Sequence, residues 1–193
     1  GHEGTGVVTH VGSDVTHLKE GDHAIVTWVR RDPVKGRGGS EPTGVTYREE
    51  PVSGSVYTWA RDVLTTEQLV VPIPKSAPTD ISCIVGCAVL TGAGAVMHTA
   101  QVRPGNSVAV IGVGGVGISA VQMASILEAY PVIAVDLDDA KLEFARSMGA
   151  THTVNASKVD PIEAVQEISG GGVDYAFDAI GLQITSEQIL PMT

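Results

Sequence analysis

The sequence predicts an α/β protein in two parts, a small antiparallel, barrel-like region over residues 1–85 and a doubly wound parallel sheet over residues 86–193. Three observations carry this expectation. Short β-branched runs sit between glycine and aspartate punctuation up to about residue 75. Beyond that point, short apolar runs alternate with segments of helical periodicity, the pattern of strands buried beneath crossover helices. Between the first of these strands and its helix lies a glycine-rich turn, Gly112-Val113-Gly114-Gly115-Val116-Gly117.

In chain order, GVVTHVG and HAIVTWV are the first strands, separated by the turn Glu20-Gly21-Asp22. Residues 30–57 carry glycines, prolines and charges without an apolar period, and are expected to form a long excursion from the barrel. The texture changes after Pro72 and Pro74. From Thr79, apolar residues recur at helical spacing through ISCIVGCAVLTGAGAVMHTA, predicting a helix that includes both cysteines. SVAVI, residues 107–111, is a wholly apolar strand, followed by a helix from Gly117 to about Ala129 and by the strand VIAVD. A helix through KLEFARSM stops at Gly149, a short strand spans His152–Val154, DPIEAVQEIS is helical, and DYAFDAI is the last strand. A complete sheet of this class has about six strands in the order 3-2-1-4-5-6. About four are identifiable here, so the fourth is expected to lie at an edge.

Composition narrows the partners. Lys and Arg number 12 against 22 Asp and Glu, a formal charge of -10, which disfavours nucleic acid and anionic membrane surfaces and favours a small soluble partner. No apolar run approaches the length of a bilayer span, and the first residues lack the regions of a signal peptide. Two cysteines, Cys83 and Cys87, suit a reducing compartment, so a cytoplasmic location is expected.

The glycine turn gains its weight from context, because the pattern G-x-G-x-x-G alone is weak in a chain with 23 glycines. It follows an apolar strand and opens a helix. One glycine makes the tight turn, a second lets a pyrophosphate approach the backbone, and a third lets helix and strand pack closely. The helix N-terminus then offers free N–H groups and a positive dipole end. Asp136 ends the next strand about 20 residues on, where a carboxylate accepts hydrogen bonds from the adenosine ribose. Its charge opposes a 2′-phosphate and Leu137 supplies no arginine, so the pattern predicts NAD over NADP. Two other readings compete: a turn that binds nothing, and a methyltransferase site, which also uses a strand-end carboxylate. The third glycine favours a pyrophosphate. A short-chain dehydrogenase is excluded within this chain, since none of Tyr47, Tyr57, Tyr130 and Tyr175 has lysine four residues on.

The opening stretch adds a more specific signal. GHEGTGVVTHVGSDV fits G-H-E-x-x-G, five residues, Gly, two residues, Val, and so resembles the zinc-containing alcohol dehydrogenases of the medium-chain dehydrogenase/reductase superfamily. EGDHAIV, VGCAVLTGAGAV, SVAVIGVGGVG, VDLDDAKLEFARSMGA and GVDYAFDAIG follow in that family's order, leaving out only about residues 30–57. The resemblance implies a partial GroES-like β-barrel catalytic domain followed by a truncated Rossmann domain, together an internal portion of a longer protein. It implies that His2 and Cys87 are ligands of a catalytic zinc, with Glu3 a neighbouring or alternative ligand. Thr91 resembles the residue that packs against the nicotinamide, Lys141 the partner of Asp136 at the ribose, and Ile180 and Gly181 the backbone-lined end of the fourth strand.

A thiolate, an imidazole and an open position suit zinc as a Lewis acid that lowers the pKa of an alcohol. The Cys₂His set is the known arrangement of alcohol dehydrogenases, so this assignment is a match to that family and not a derivation. The implied reaction interconverts a small-molecule alcohol and its aldehyde or ketone with NAD, in a protein that is a homo-oligomer when full length. The family's first cysteine ligand and its hydroxyl proton relay precede the GHE motif.

Residues 30–57 stand where many members carry four closely spaced cysteines for a structural zinc, and contain none, so one catalytic zinc and no structural zinc is expected. Arg30, Arg31, Lys35 and Arg37 gather there instead, as a solvated loop or a site for an anionic substrate. Cys83 is expected in the core, and His10, His17, His23, His98 and His152 at surface or half-buried positions without metal-ligand spacing. A nucleotide-binding module without catalysis and a zinc-free reductase of the same superfamily are the alternatives.

Overall fold

The computed structural model describes residues 1–29, 46–51 and 58–193. Two compact units divide it, Gly1–Cys87 and Ala88–Thr193.

In the first unit, β1 (Gly4–Val7) pairs antiparallel with β2 (His23–Val26). A small hairpin of β3 (Thr46–Tyr47) and β4 (Glu50–Pro51) follows, and β5 (Val70–Ile73) completes a three-stranded sheet in the order β1-β2-β5. Of the excursion expected over residues 30–57, this hairpin is the part that lies within the described residues. Arg48 and Glu49, at φ 52 and 69, make the left-handed two-residue turn that matches strand twist. The basic cluster Arg30, Arg31, Lys35 and Arg37 lies outside the described residues. Pro72, read as punctuation, lies inside β5, opposite Ala24. An edge strand tolerates it, because a proline there sacrifices no ladder donor. Half-buried His17 fastens the loop after β1 to β5, with Nδ1 3.1 Å from Glu67 Oε2 and Nε2 3.2 Å from the Val70 carbonyl.

The long helix expected from Thr79 is not continuous. It consists of α1 (Thr79–Ser82), a 3-10 turn (Cys83–Gly86), then α2 (Ala88–Gly94) and a π turn (Ala95–Thr99). Cys87 stands at the break with φ -142 and ψ -72, outside helical geometry. Periodicity conceals such a break, because 3-10, α and π turns leave apolar residues at nearly the same spacing. Cys83 is half-buried and its Sγ donates to the Asp80 carbonyl at 3.1 Å, so it is not a core residue.

The second unit alternates β6 (Val108–Ile111), α3 (Gly115–Ile126), β7 (Val132–Asp136), α4 (Asp139–Ser147), β8 (His152–Asn155), α5 (Pro161–Ser169), β9 (Tyr175–Asp178) and α6 (Gln183–Met192). Its four strands are all parallel, in the order β8-β7-β6-β9. Both faces are covered, as the wholly apolar β6 and β7 require. Val108 and Val110 point into one core with Val121, Ala124 and Leu142 of α3 and α4. Ala109 and Ile111 point into the other, with Val165 and Met192 of α5 and α6. Helix starts follow local chemistry: Asp138 caps α4, and Asp160 caps α5 through the Ile162 and Glu163 N–H groups, with Pro161 in the first turn. Asp174 ties the entries of β9 and β6 together by accepting from the Ser107 N–H at 2.7 Å and the Ser107 hydroxyl at 3.0 Å. Those donors hold its carboxyl below the ordinary range. Among the described residues, no single helix is long and apolar enough to cross a membrane.

Candidate functional site

Two side chains from opposite ends of the first unit meet. His2 precedes β1, Cys87 closes the unit, and His2 Nε2 lies 3.1 Å from Cys87 Sγ. The pairing of Gly4 with Val26 and the hydrogen bond from Thr5 Oγ1 to the Thr79 carbonyl (2.7 Å) bring the lead into β1 alongside the start of α1. His2 is exposed and Cys87 half-buried, so a cation can reach both. Sulfur and nitrogen donors on one tetrahedral zinc, at about 2.3 and 2.0–2.1 Å, lie about 3.5 Å apart. The observed spacing fits that geometry to within about half an ångström. Glu3 follows His2 in a half-buried position, but among the described residues no group of three or more His, Cys, Asp and Glu side chains converges on one point.

The second site lies where the sheet's connections diverge, between β6 and β9. Gly112 leaves β6 at φ 84, and a Cβ there would run into the Ile180 side chain. At Gly117 a Cβ would collide with the Gly112 carbonyl oxygen, so α3 starts pressed against the strand exit. Gly114 precedes α3 without a side-chain cap, leaving the helix N-terminus to another acceptor. Gly114 and Gly115 are exposed, Val116 half-buried, and Val113 buried with its N–H donating to Asp136 Oδ2 at 3.0 Å. The other Asp136 oxygen accepts from the Leu137 and Asp138 N–H groups at 2.8 and 3.2 Å. Asp136 is therefore a brace for the turn as well as an acceptor at its rim.

Beside the turn is a cavity of about 580 Å³, lined by Gly112, Gly114, Asp136, Lys141, Ile180 and Leu182 among others. Gly112, Gly114, Asp136, Lys141 and Ile180, five of the expected cofactor-binding residues, share this one space. Gly181, at φ 78, turns the chain between Ile180 and Leu182. Thr91 is exposed on α2.

One residue that holds the lining of this cavity escaped the sequence reading. Asp178, at the end of β9, accepts from the Ile180 and Gly181 N–H groups (2.9 and 3.1 Å) and from the Thr185 and Ser186 hydroxyls (both 2.9 Å). Burial raises its carboxyl pKa, but the four donors outweigh burial and hold it below the ordinary value of 3.8. Its local signal was an aspartate at a strand end three residues before a glycine, the mark of a side-chain-closed turn.

The fold has close counterparts. An alcohol dehydrogenase zinc-binding domain protein from Burkholderia ambifaria matches with TM-score 0.89 and 36% identity, over 99% of this chain and 58% of its own. Benzyl alcohol dehydrogenase from Acinetobacter calcoaceticus matches with TM-score 0.87 and 30% identity, over 99% of this chain and 57% of its own. A partial GroES-like unit joined to a four-stranded Rossmann-type sheet is thus the fold class, that of the medium-chain dehydrogenases.

Sequence comparison makes the assignment narrower. The profile of the alcohol dehydrogenase GroES-like domain matches residues 1–75, and that of zinc-binding dehydrogenases matches residues 115–193. S-(hydroxymethyl)glutathione dehydrogenase of Synechocystis sp. is 37% identical over 94% of this chain and 56% of its own length. The enzyme of that name from Saccharomyces cerevisiae is 33% identical over 94% of this chain and 54% of its own length. The chain belongs to the zinc-containing alcohol dehydrogenase family. It spans a little over half the length of these curated relatives, 56% and 54%.

Proposed function

We propose that the protein containing this chain is an NAD-dependent alcohol dehydrogenase that interconverts a small alcohol and its aldehyde or ketone with the help of one catalytic zinc. The observation that carries the proposal is the meeting of His2 and Cys87 at 3.1 Å. A zinc held there would supply Lewis acidity to the oxygen of an alcohol, and NAD would supply the hydride acceptor. His2 and Cys87 present a nitrogen and a sulfur donor from the first unit. In the second, the α3 N-terminus and the glycine turn suit a pyrophosphate, Asp136 and Lys141 suit the ribose, and Ile180 forms an apolar wall.

The same 3.1 Å contact also suits a direct imidazole–thiol hydrogen bond, which favours a zinc-free reductase as the second reading. Metal analysis of the full-length protein separates the two. The expected result is about one zinc per chain and alcohol-dependent NADH formation, both lost in Cys87→Ala. A protein without zinc, or activity unaffected by Cys87→Ala, would refute the proposal.

A further inference from the structure

Cys87 contributes little to its own placement. Its backbone lies outside helical geometry, and its N–H reaches the Ile84 carbonyl only at 3.5 Å. The thiol direction therefore depends on what fixes the peptide plane before it, which contains the Gly86 carbonyl and the Cys87 nitrogen.

That plane is held by Thr27. Thr27 is 4% exposed, and its hydroxyl donates to the Gly86 carbonyl at 2.7 Å while accepting from the Val29 N–H at 3.1 Å. Its own N–H donates to the Leu69 carbonyl at 2.9 Å, anchoring Thr27 to the turn before β5. A second, independent constraint acts at the same point. A Cβ on Gly86 would stand 2.8 Å from the Val26 carbonyl oxygen and 3.1 Å from Ile25 Cγ2, so the Gly86 backbone lies flat against β2. Since Gly4 of β1 pairs with Val26, the same end of β2 also locates the segment that carries His2.

We propose that Thr27 is a positioning residue for the Cys87 donor: its buried hydroxyl orients the Gly86–Cys87 peptide so that the thiol faces His2 Nε2. This rests on the reading of His2 and Cys87 as metal donors. Groups that orient ligands in this indirect way typically change metal affinity about 10–100-fold when removed. Valine at this position keeps the shape and leaves the carbonyl without its donor; serine keeps the donor.

The test uses the full-length protein with cobalt(II) in place of zinc, following thiolate-to-cobalt charge-transfer absorption and measuring affinity by competition with a chelator. Wild type and Thr27→Ser are expected to share one spectrum and one affinity. Thr27→Val is expected to bind cobalt about 10–100-fold more weakly with an altered charge-transfer band. A band in wild type that Thr27→Val leaves unchanged in affinity and shape overturns the role of Thr27 and leaves the metal reading standing. A wild-type band absent, or unaffected by Cys87→Ala, overturns the metal reading itself. Should Thr27→Val not fold, Thr27→Ser still decides, because weakened binding with the hydroxyl retained refutes the proposal.

Discussion

Removing the Asp178 carboxylate is expected to loosen the wall of the crevice that carries Ile180. Four donors converge on it at 2.9 to 3.1 Å. Ile180, Gly181 and Ser186 are exposed, so their freed donors find water, and the Thr185 hydroxyl has the Leu182 carbonyl as a second acceptor at 2.9 Å. Each lost bond then costs its net value of about 0.5–1.5 kcal/mol, not a full desolvation penalty, and Asp178→Ala should destabilise the second unit by about 2–6 kcal/mol. Asp178→Asn keeps an oxygen for the two backbone donors and loses charge assistance, a cost of about 1 kcal/mol.

The sign of the pH dependence follows from the lowered carboxyl pKa. The unfolded chain binds this proton more readily, so the stabilisation is complete above the ordinary value of 3.8 and fades as pH falls through the lower folded value. Urea melts of wild type and Asp178→Asn should therefore differ most at neutral pH and converge below about pH 4. Asp178→Ala within about 0.5 kcal/mol of wild type at pH 7, or a gap that widens in acid, would refute the reasoning.

Two further substitutions test the glycine turn. Gly117→Ala places a methyl group on the Gly112 carbonyl, so α3 must withdraw from β6; NADH affinity measured by fluorescence titration should fall at least about tenfold, and unchanged affinity would remove the pyrophosphate from this turn. Asp136→Ala should narrow the preference for NAD over NADP in paired titrations while weakening NAD itself, because the Val113 N–H loses its acceptor; a preference that stays intact would show that Asp136 serves only as the brace.

The parallel sheet was legible because its signals are local. Apolar runs such as VAVI and VIAVD alternate with helices, and Gly112 and Asp136 sit at strand ends where spacing alone locates them. The interruption at Cys87 was not legible, since the neighbouring apolar residues keep their spacing through three kinds of helical turn. Thr27 left no trace at all: its partner Gly86 is 59 residues away, and a threonine at the end of HAIV looks like any β-former. His2 and Cys87, 85 residues apart, were paired only through the family motif, and no rule of spacing would have joined them.

The crowding around Gly112 and Gly117 has a consequence for altering this protein by design. At Gly117 main chain meets main chain, while Gly112 combines a left-handed φ of 84 with the Ile180 side chain directly in front of it. The opposite rim is built from the exposed side chains of Leu137 and Lys141, which can be exchanged without moving a strand. A programme of directed evolution toward another dinucleotide should therefore gather its tolerated changes at positions 137 and 141 and find Gly112 and Gly117 nearly immutable.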